Sequence, residues 1–296
     1  LQAQNENEQK KNIALLFDLV RLANEKNNTL KKIAEAQTSN GGFSWFKGGP
    51  DDRYITQYIL TGIGHLRKLN AISKDDYSSL TPIVEKALKY LDARIKEDYA
   101  YLLKHKFKTS QNNLSGFGIQ YLYMRSFFPE QPIVSSTQKA YNYYLGQSKK
   151  YWTGFGKYYQ GMIALSLFRN SDEITAKKII NSLKENAIES EEMGMYWKDF
   201  TKRGYYWYQS PIESHSLLIE AFSDIDKNLQ TVDNLKTWLL KNKQTNSWES
   251  TKATAEACYA LLLKGSNWLS EDKNVTIQLG NLSLSTADDK VEAGTG

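Results

Sequence analysis

Three histidines, one cysteine and a scatter of carboxylates are the residues of this chain that could carry chemistry. Sugar hydrolysis by paired carboxylates could draw on Asp51, Asp52, Glu213, Glu249 and Glu256. Asp51 and Asp52 sit in a turn before an apolar helical segment. Glu213 falls in the first turn of another, and Glu249 and Glu256 flank or enter the last. Acids also favour such positions simply by opposing the helix dipole, so capping explains most of them. Elimination on a polysaccharide could use Tyr with His or Asn to shuttle protons. "RGYYWYQSPIESHS", residues 203–216, crowds Arg203, Tyr205, Tyr206, Trp207, Tyr208 and His215 into one loop–helix junction and is the most site-like stretch. A loop that plugs a seam with aromatics needs no catalysis, however. His65, His105 and His215 show no His-Glu-x-x-His spacing. A zinc site would have to combine Cys258, His215 and a carboxylate from separate helices, so no metal is expected. Asp-rich cyclase clusters and Gly-x-x-x-x-Gly-Lys-Ser/Thr phosphate loops are absent. Cys258, within "TAEACYALL", reads as a small buried core residue.

The elements that must position these residues are helices. Ile13, Leu16, Phe17 and Val20 follow the i, i+3, i+4, i+7 rule, as do Ile55, Ile59, Gly62, Ile63 and Leu66, and the period recurs along the chain. Two helix characters alternate. One, as in "KALKYLDARI", "KAYNYYLGQ" and "LKTWLLKNKQ", keeps Lys, Asn and Asp on one side for solvent. The other, as in "YITQYILTGIGHL", "GKYYQGMIALSLF", "IESHSLLIEAF" and "KATAEACYALLL", has few polar residues and should be covered on both sides. Loops rich in Gly and aromatics ("GGFSWF", "YWTGFG", "RGYYWYQSP", "NSWES") precede the second kind, whose members start roughly 40–60 residues apart. Such units bury one another's apolar faces. The chain therefore reads as all-α: an α/α toroid of about five to six helix pairs, with inner and outer layers. "ENEQKKNIALLFDLVRLANEKNNTLKKIAEAQ", residues 6–37, supplies the outer half of the first pair. An aromatic at the start of each inner helix is expected to plug the seam between units.

The 296 residues suffice for such a core, and both charge signs are scattered around a net charge of +5. No basic block interleaved with aromatics marks a nucleic-acid surface, and no stretch is long and apolar enough to span a membrane. "NVTIQLGNLSLST", residues 274–286, alternates around Gly-Asn as a β-hairpin does. The expected division is thus a toroid over 1–267 and, over 268–296, a hairpin opening an adjoining β domain.

"LKKIAEAQTSNGGFSWFKGGPDDRYITQYILTGIGHL", the "PIESHSLLIEAF" helix and "WESTKATAEACYALLL", in that order, resemble the thioester-bearing helical domain of bacterial alpha-2-macroglobulin-like proteins over about residues 12–265. The resemblance implies a ring inserted in a β domain, a place in the bacterial envelope, periplasmic or surface-anchored, and a part in trapping proteases. Neighbouring β domains of the same chain and, through the full-length protein, proteases are the partners it implies; no cofactor is. In that family a bait segment is cut, the protein changes shape, and in many members a buried Cys–Gln thioester acylates the attacker. The bond joins Cys to a Gln three residues on. Here Cys258 is followed by Tyr259, Ala260 and Leu261 and lies in the last repeat. The reactive pair is therefore expected upstream of Leu1, or else the parent traps without a covalent step. His105 falls in a roughly suitable interval for the family's acyl-transfer histidine but lacks matching neighbours. The resemblance thus implies a module that is not itself an enzyme and assigns it no reactive residue. The competing reading is a toroid lyase or glycoside hydrolase using the 203–216 stretch with Asp51, Asp52 or Glu213. An open, acid-lined mouth would favour the enzyme. A filled mouth with Trp45, Trp207 and Trp248 buried would favour the module.

Overall fold

The computed structural model describes residues 21, 24–201, 211–245, 248, 250–263, 276–279 and 282–285. Ile13, Leu16, Phe17 and Val20 lie outside them, as do Arg203 to Tyr208 and Glu249. By contact the chain divides into Leu1–Leu263 and Lys264–Gly296.

The first unit is all-α. Helix α1 (24–36) is followed by α2 (Arg53–Lys68), α3 (Lys74–Lys104), α4 (Gly116–Arg125), α5 (Ser135–Tyr151), α6 (Lys157–Arg169), α7 (Glu173–Glu185), α8 (Pro211–Ala221), α9 (Leu229–Thr245) and α10 (Thr251–Leu262). Their starts are written in the sequence. Asp52, Ser73, Ser115, Asp172 and Ser250 each accept a backbone N–H of the first turn with a side-chain oxygen, the local bond that satisfies an orphan donor. Several stops use left-handed residues: Asn70, Lys106, Ser171 and Lys227 all have positive φ.

The two helix characters sort into two layers. The even-numbered helices pack in succession, α2 on α4, α4 on α6, α6 on α8 and α8 on α10. Gly118–Arg125 of α4 and Ile212–Ala221 of α8 are buried without interruption, whereas α10 buries one side only. Helices α3, α5, α7 and α9 lie outside, each against even-numbered neighbours, with one face in solvent. Tyr259 of α10 stacks on His65 of α2, so the inner layer closes into a ring.

Two short hairpins decorate the ring. Strands β1 (Phe43–Ser44) and β2 (Asp51–Asp52) pair in the turn before α2. Gly41, at φ +95° in the Thr38–Gly42 turn that leads into β1, has to be glycine, because a Cβ there would sit 2.4 Å from the Lys86 carbonyl oxygen. Strands β3 (Ile188–Ser190) and β4 (Gly194–Tyr196) pair between α7 and α8, and β4 packs on α9. Trp197 just beyond is fully buried and donates its indole N–H to the Leu183 carbonyl at 2.8 Å. Lys236 of α9 is almost fully buried, with its ammonium on the Leu261 and Leu263 carbonyls at 3.1 and 2.6 Å. A cation there answers the exposed carbonyls of the α10 C-terminus.

In the second unit, β5 (Thr276–Leu279) and β6 (Leu282–Ser285) pair antiparallel, Thr276 opposite Ser285 and Leu279 opposite Leu282. The expected hairpin is therefore present; its Gly-Asn turn lies outside the described residues.

Two expectations about packing need correction. The aromatic that plugs the first seam is Phe43, at 0% exposure, whereas Trp45 is 56% exposed and Phe46 70%. Trp248 is only half-buried, and Trp207 lies outside the described residues. Strand β1 ends at Ser44, so Trp45 and Phe46 belong to the exposed turn that follows it, while Phe43 is held in the core. Cys258 is also exposed rather than in the core. Ala253, Ala257 and Ala260 form the buried i, i+4, i+7 stripe of α10, and Cys258 stands about 100° from Ala257 around the helix.

Candidate functional site

Each inner helix carries a few polar residues among apolar ones, at spacings that return to the same face. Helix α2 offers Tyr58 and His65, seven apart. Helix α4 offers Gln120 and Tyr123, α8 Glu213 and Glu220, and α10 Lys252, Glu256 and Tyr259. Intervals of three, four and seven keep one side of a helix, and that side faces the ring's interior. The closed ring thus fills its centre with side chains from all its inner helices.

The best-connected part joins α2, α4, α6 and α8. Glu220, with 0% exposure, receives the Lys68 ammonium at 3.0 Å and the Arg169 guanidinium at 2.5 Å. Asp224, in the π-helical turn Phe222–Asp226 that extends α8, takes the same two cations at 2.5 and 3.0 Å. The Tyr123 hydroxyl donates to the other Glu220 oxygen. That leaves Tyr123 to accept from His65, whose Nε2 lies 2.9 Å away. The proton on neutral His65 is therefore assigned to Nε2, and Nδ1 faces Glu256 Oε2 at 3.8 Å. Burial alone would raise the Glu220 carboxyl, but Lys68 and Arg169 outweigh it and hold it well below the usual carboxylate range. Burial lowers His65 to about 4 and raises Glu256 to about 7. His65 is thus neutral at pH 7, and Glu256 is poised between its two forms.

Glu213 lies beside this chain, 3% exposed, with Oε1 3.8 Å from the Lys252 ammonium and Oε2 buried without a hydrogen bond. The space left between Tyr58, His65, Gln120, Tyr158, Glu213 and Glu256 is a cavity of about 20 Å³. That is room for about one water molecule, not for a sugar ring or a peptide. The interior can hold charge and move a proton between neighbours.

Of the candidates named from sequence, only Glu213 and Glu256 come together among the described residues. Asp52 is the α2 N-cap, its Oδ1 accepting from Ile55 N–H at 2.9 Å. Asp51 accepts from Asn40 at 2.8 Å, and hydrogen bonds from Tyr90 and Asn40 lower its pKa. His215 is fully buried between α8 and α9, its Nε2 on the Leu235 carbonyl at 2.8 Å and its ring against Trp197, Phe200 and Trp238. It is a core histidine, and burial lowers it to about 4. His105 is exposed at the end of α3, its ring tilted against Tyr101. Glu213 and Glu256 do meet at one cavity; Glu249 lies outside the described residues. Among the described residues no three His, Cys, Asp or Glu side chains gather as a metal site. Besides His65, the interior residues that sequence reasoning passed over are Lys68, Tyr123, Arg169, Glu220 and Tyr259. For Glu220 and Tyr259 the signal was a polar side chain seven residues from another, Glu213 and Lys252 respectively, on an otherwise apolar helix.

No known family model matches the chain, and no curated protein matches it. Among solved structures, its fold is similar to part of the crystal structure of Salmonella alpha-2-macroglobulin reacted with methylamine. The TM-score is 0.52 at 15% identity, over 86% of this chain and 15% of that one. The chain thus spans less than a sixth of that protein, and identity this low establishes likeness of fold alone.

Proposed function

We propose that this chain is the helical ring of a bacterial alpha-2-macroglobulin-like envelope protein, and that it serves protease trapping as a protein-contact module without turning over a substrate itself. The observation that carries the reading is the filled interior. Ion-paired and hydrogen-bonded side chains from all the inner helices close the centre to about 20 Å³. The likeness of fold to a segment of Salmonella alpha-2-macroglobulin supports it, as does the order of sequence motifs that resembles the family. A ring with this centre offers surfaces and rigidity, and its neighbours supply the bait. On this reading Cys258 forms no thioester, because no Gln stands three residues beyond it.

The test uses the full-length protein that carries this segment. It is incubated with an endopeptidase, and hydrolysis of a large protein is compared with hydrolysis of a small peptide amide. Trapping leaves the small substrate cleaved and protects the large one. Equal cleavage of both overturns the reading. So does release of reducing ends or unsaturated uronates from a polysaccharide by this chain, if Glu256→Gln abolishes it.

A further inference from the structure

At the inner helices' N-terminal end the ring carries a second, larger hollow of about 380 Å³, lined by Trp45, Asp52, Tyr54, Phe117, Gln120 and Tyr159, among others. Its walls are the first turns of α2, α4 and α6. Trp45 stacks on Tyr54 with centroids 6.2 Å apart and planes at 13°, yet remains 56% exposed. Phe117, on the α4 wall, is 50% exposed. Gly116 lets α4 come close to the α6 wall, since a Cβ there would lie 2.5 Å from the Tyr159 hydroxyl.

The polar groups on the lining residues of this cup are the Asp52 carboxylate, the Gln120 amide and the hydroxyls of Tyr54, Tyr158 and Tyr159. Asp52 spends Oδ1 on its own helix and retains further acceptor capacity. The electrostatics are balanced. Three helix N-termini contribute partial positive charge, and one carboxylate opposes them. An anion would meet Asp52, and a cation would meet the dipoles. A neutral ligand with a flat apolar face and hydrogen-bonding edges fits both the charge and the lining. Hollows of this volume, mostly aromatic with a few convergent polar groups, take small molecules.

We propose that this cup is a binding site for a neutral pyranose sugar, whose C–H face stacks on Trp45 while its hydroxyls reach Asp52, Gln120 and Tyr159. The site binds without turnover. Glu213 and Glu256 open on the small interior cavity, and neither lines the cup. The inference stands apart from protease trapping, because it concerns a different surface and ligand.

The test is calorimetric titration of the chain with cellobiose, with mannitol as a hydroxyl-rich control that has no flat ring. Saturable binding of cellobiose and none of mannitol is expected. Trp45→Ala should weaken binding about tenfold or more, the scale of one lost stacking contact with its buried area. Asp52→Asn removes the charge and keeps a good N-cap; it should weaken binding several-fold without lowering Tm. Absence of saturable binding, or equal binding of mannitol, overturns the proposal. So does an unchanged affinity in Trp45→Ala, or displacement of cellobiose by an aromatic-rich peptide that binds more tightly.

Discussion

The imidazole of His65 lies flat on the ring of Tyr259, centroids 3.6 Å apart and planes within 6°. His65 belongs to the first inner helix and Tyr259 to the last, so this contact helps to close the circle. Glu256, one turn before Tyr259, faces the same imidazole at 3.8 Å. The closure is therefore polar at its edges and aromatic in its middle. Because it joins chain segments far apart in sequence, it depends on every intervening pair being in place.

Severing that contact should loosen the ring as a unit. Tyr259→Leu and His65→Leu each remove a buried ring, and each is expected to destabilise by about 2–3 kcal/mol. A double-mutant cycle should return a coupling of about 1 kcal/mol, the usual worth of an aromatic pair beyond its buried area. Urea unfolding of the four proteins measures it. Additive losses would mean that the stack is incidental.

Much of this architecture was legible before any coordinates. The alternation of one-faced and all-round apolar helices reports directly whether water touches one side or none, and that is what separates the two layers. The interior was harder to read. Tyr123, Arg169 and Glu220 come from three different helices, and nothing local says that they meet. The 203–216 stretch drew attention to His215 for its aromatic neighbours. Helix phase decides otherwise: Glu213 and His215 are two residues apart, so about 200° separates them around α8. Glu213 faces the ring's centre and His215 faces α9. One helix could not have offered both to one substrate.

Glu256 should make stability depend on pH in a direction unusual for an acid. Burial raises its folded value to about 7, from 4.5 in an unfolded chain. Between those values the folded state holds a proton that the unfolded state has released. Stability from this group is thus complete below about pH 4.5 and is lost as pH rises toward 7. His65 works the opposite way, since its folded value of about 4 lies below 6.5; its contribution is lost as pH falls from 6.5 toward 4. Comparing the wild type with Glu256→Gln cancels the histidine. The difference should shrink by about 1.4 kcal/mol per pH unit across that window. Chemical unfolding at pH 5, 6 and 7 reads the slope, and a constant difference would place Glu256 in water.

Phe43 and Trp45, two residues apart, should respond oppositely to truncation. Phe43 is fully buried, and its backbone N–H donates to the Thr56 hydroxyl at 2.9 Å. Phe43→Ala opens a cavity where β1 meets α2 and should cost about 3–4 kcal/mol. Trp45→Ala, on an exposed side chain, should cost under about 1 kcal/mol. Thermal unfolding of the pair checks which aromatic holds the seam; a larger loss for Trp45 would reverse the assignment.

Glu220 is the carboxylate on which the interior charges converge, and removing its charge tests whether that network is structural. Two cations, Lys68 and Arg169, contact one of its oxygens, and the Tyr123 hydroxyl donates to the other. Glu220→Gln preserves size and removes the charge. Asp224 alone must then answer both cations, in a place where water cannot easily help. Removing one partner of a buried ion pair costs about 3–5 kcal/mol, because the remaining charge stays buried; the share kept by Asp224 should bring the loss here to about 3 kcal/mol. A second variant separates charge from packing. Combining Glu220→Gln with Lys68→Met removes one charge of each sign and should recover part of the loss. If the double variant is less stable than Glu220→Gln alone, the cations are held by something other than Glu220, and its place at the centre of the network is lost.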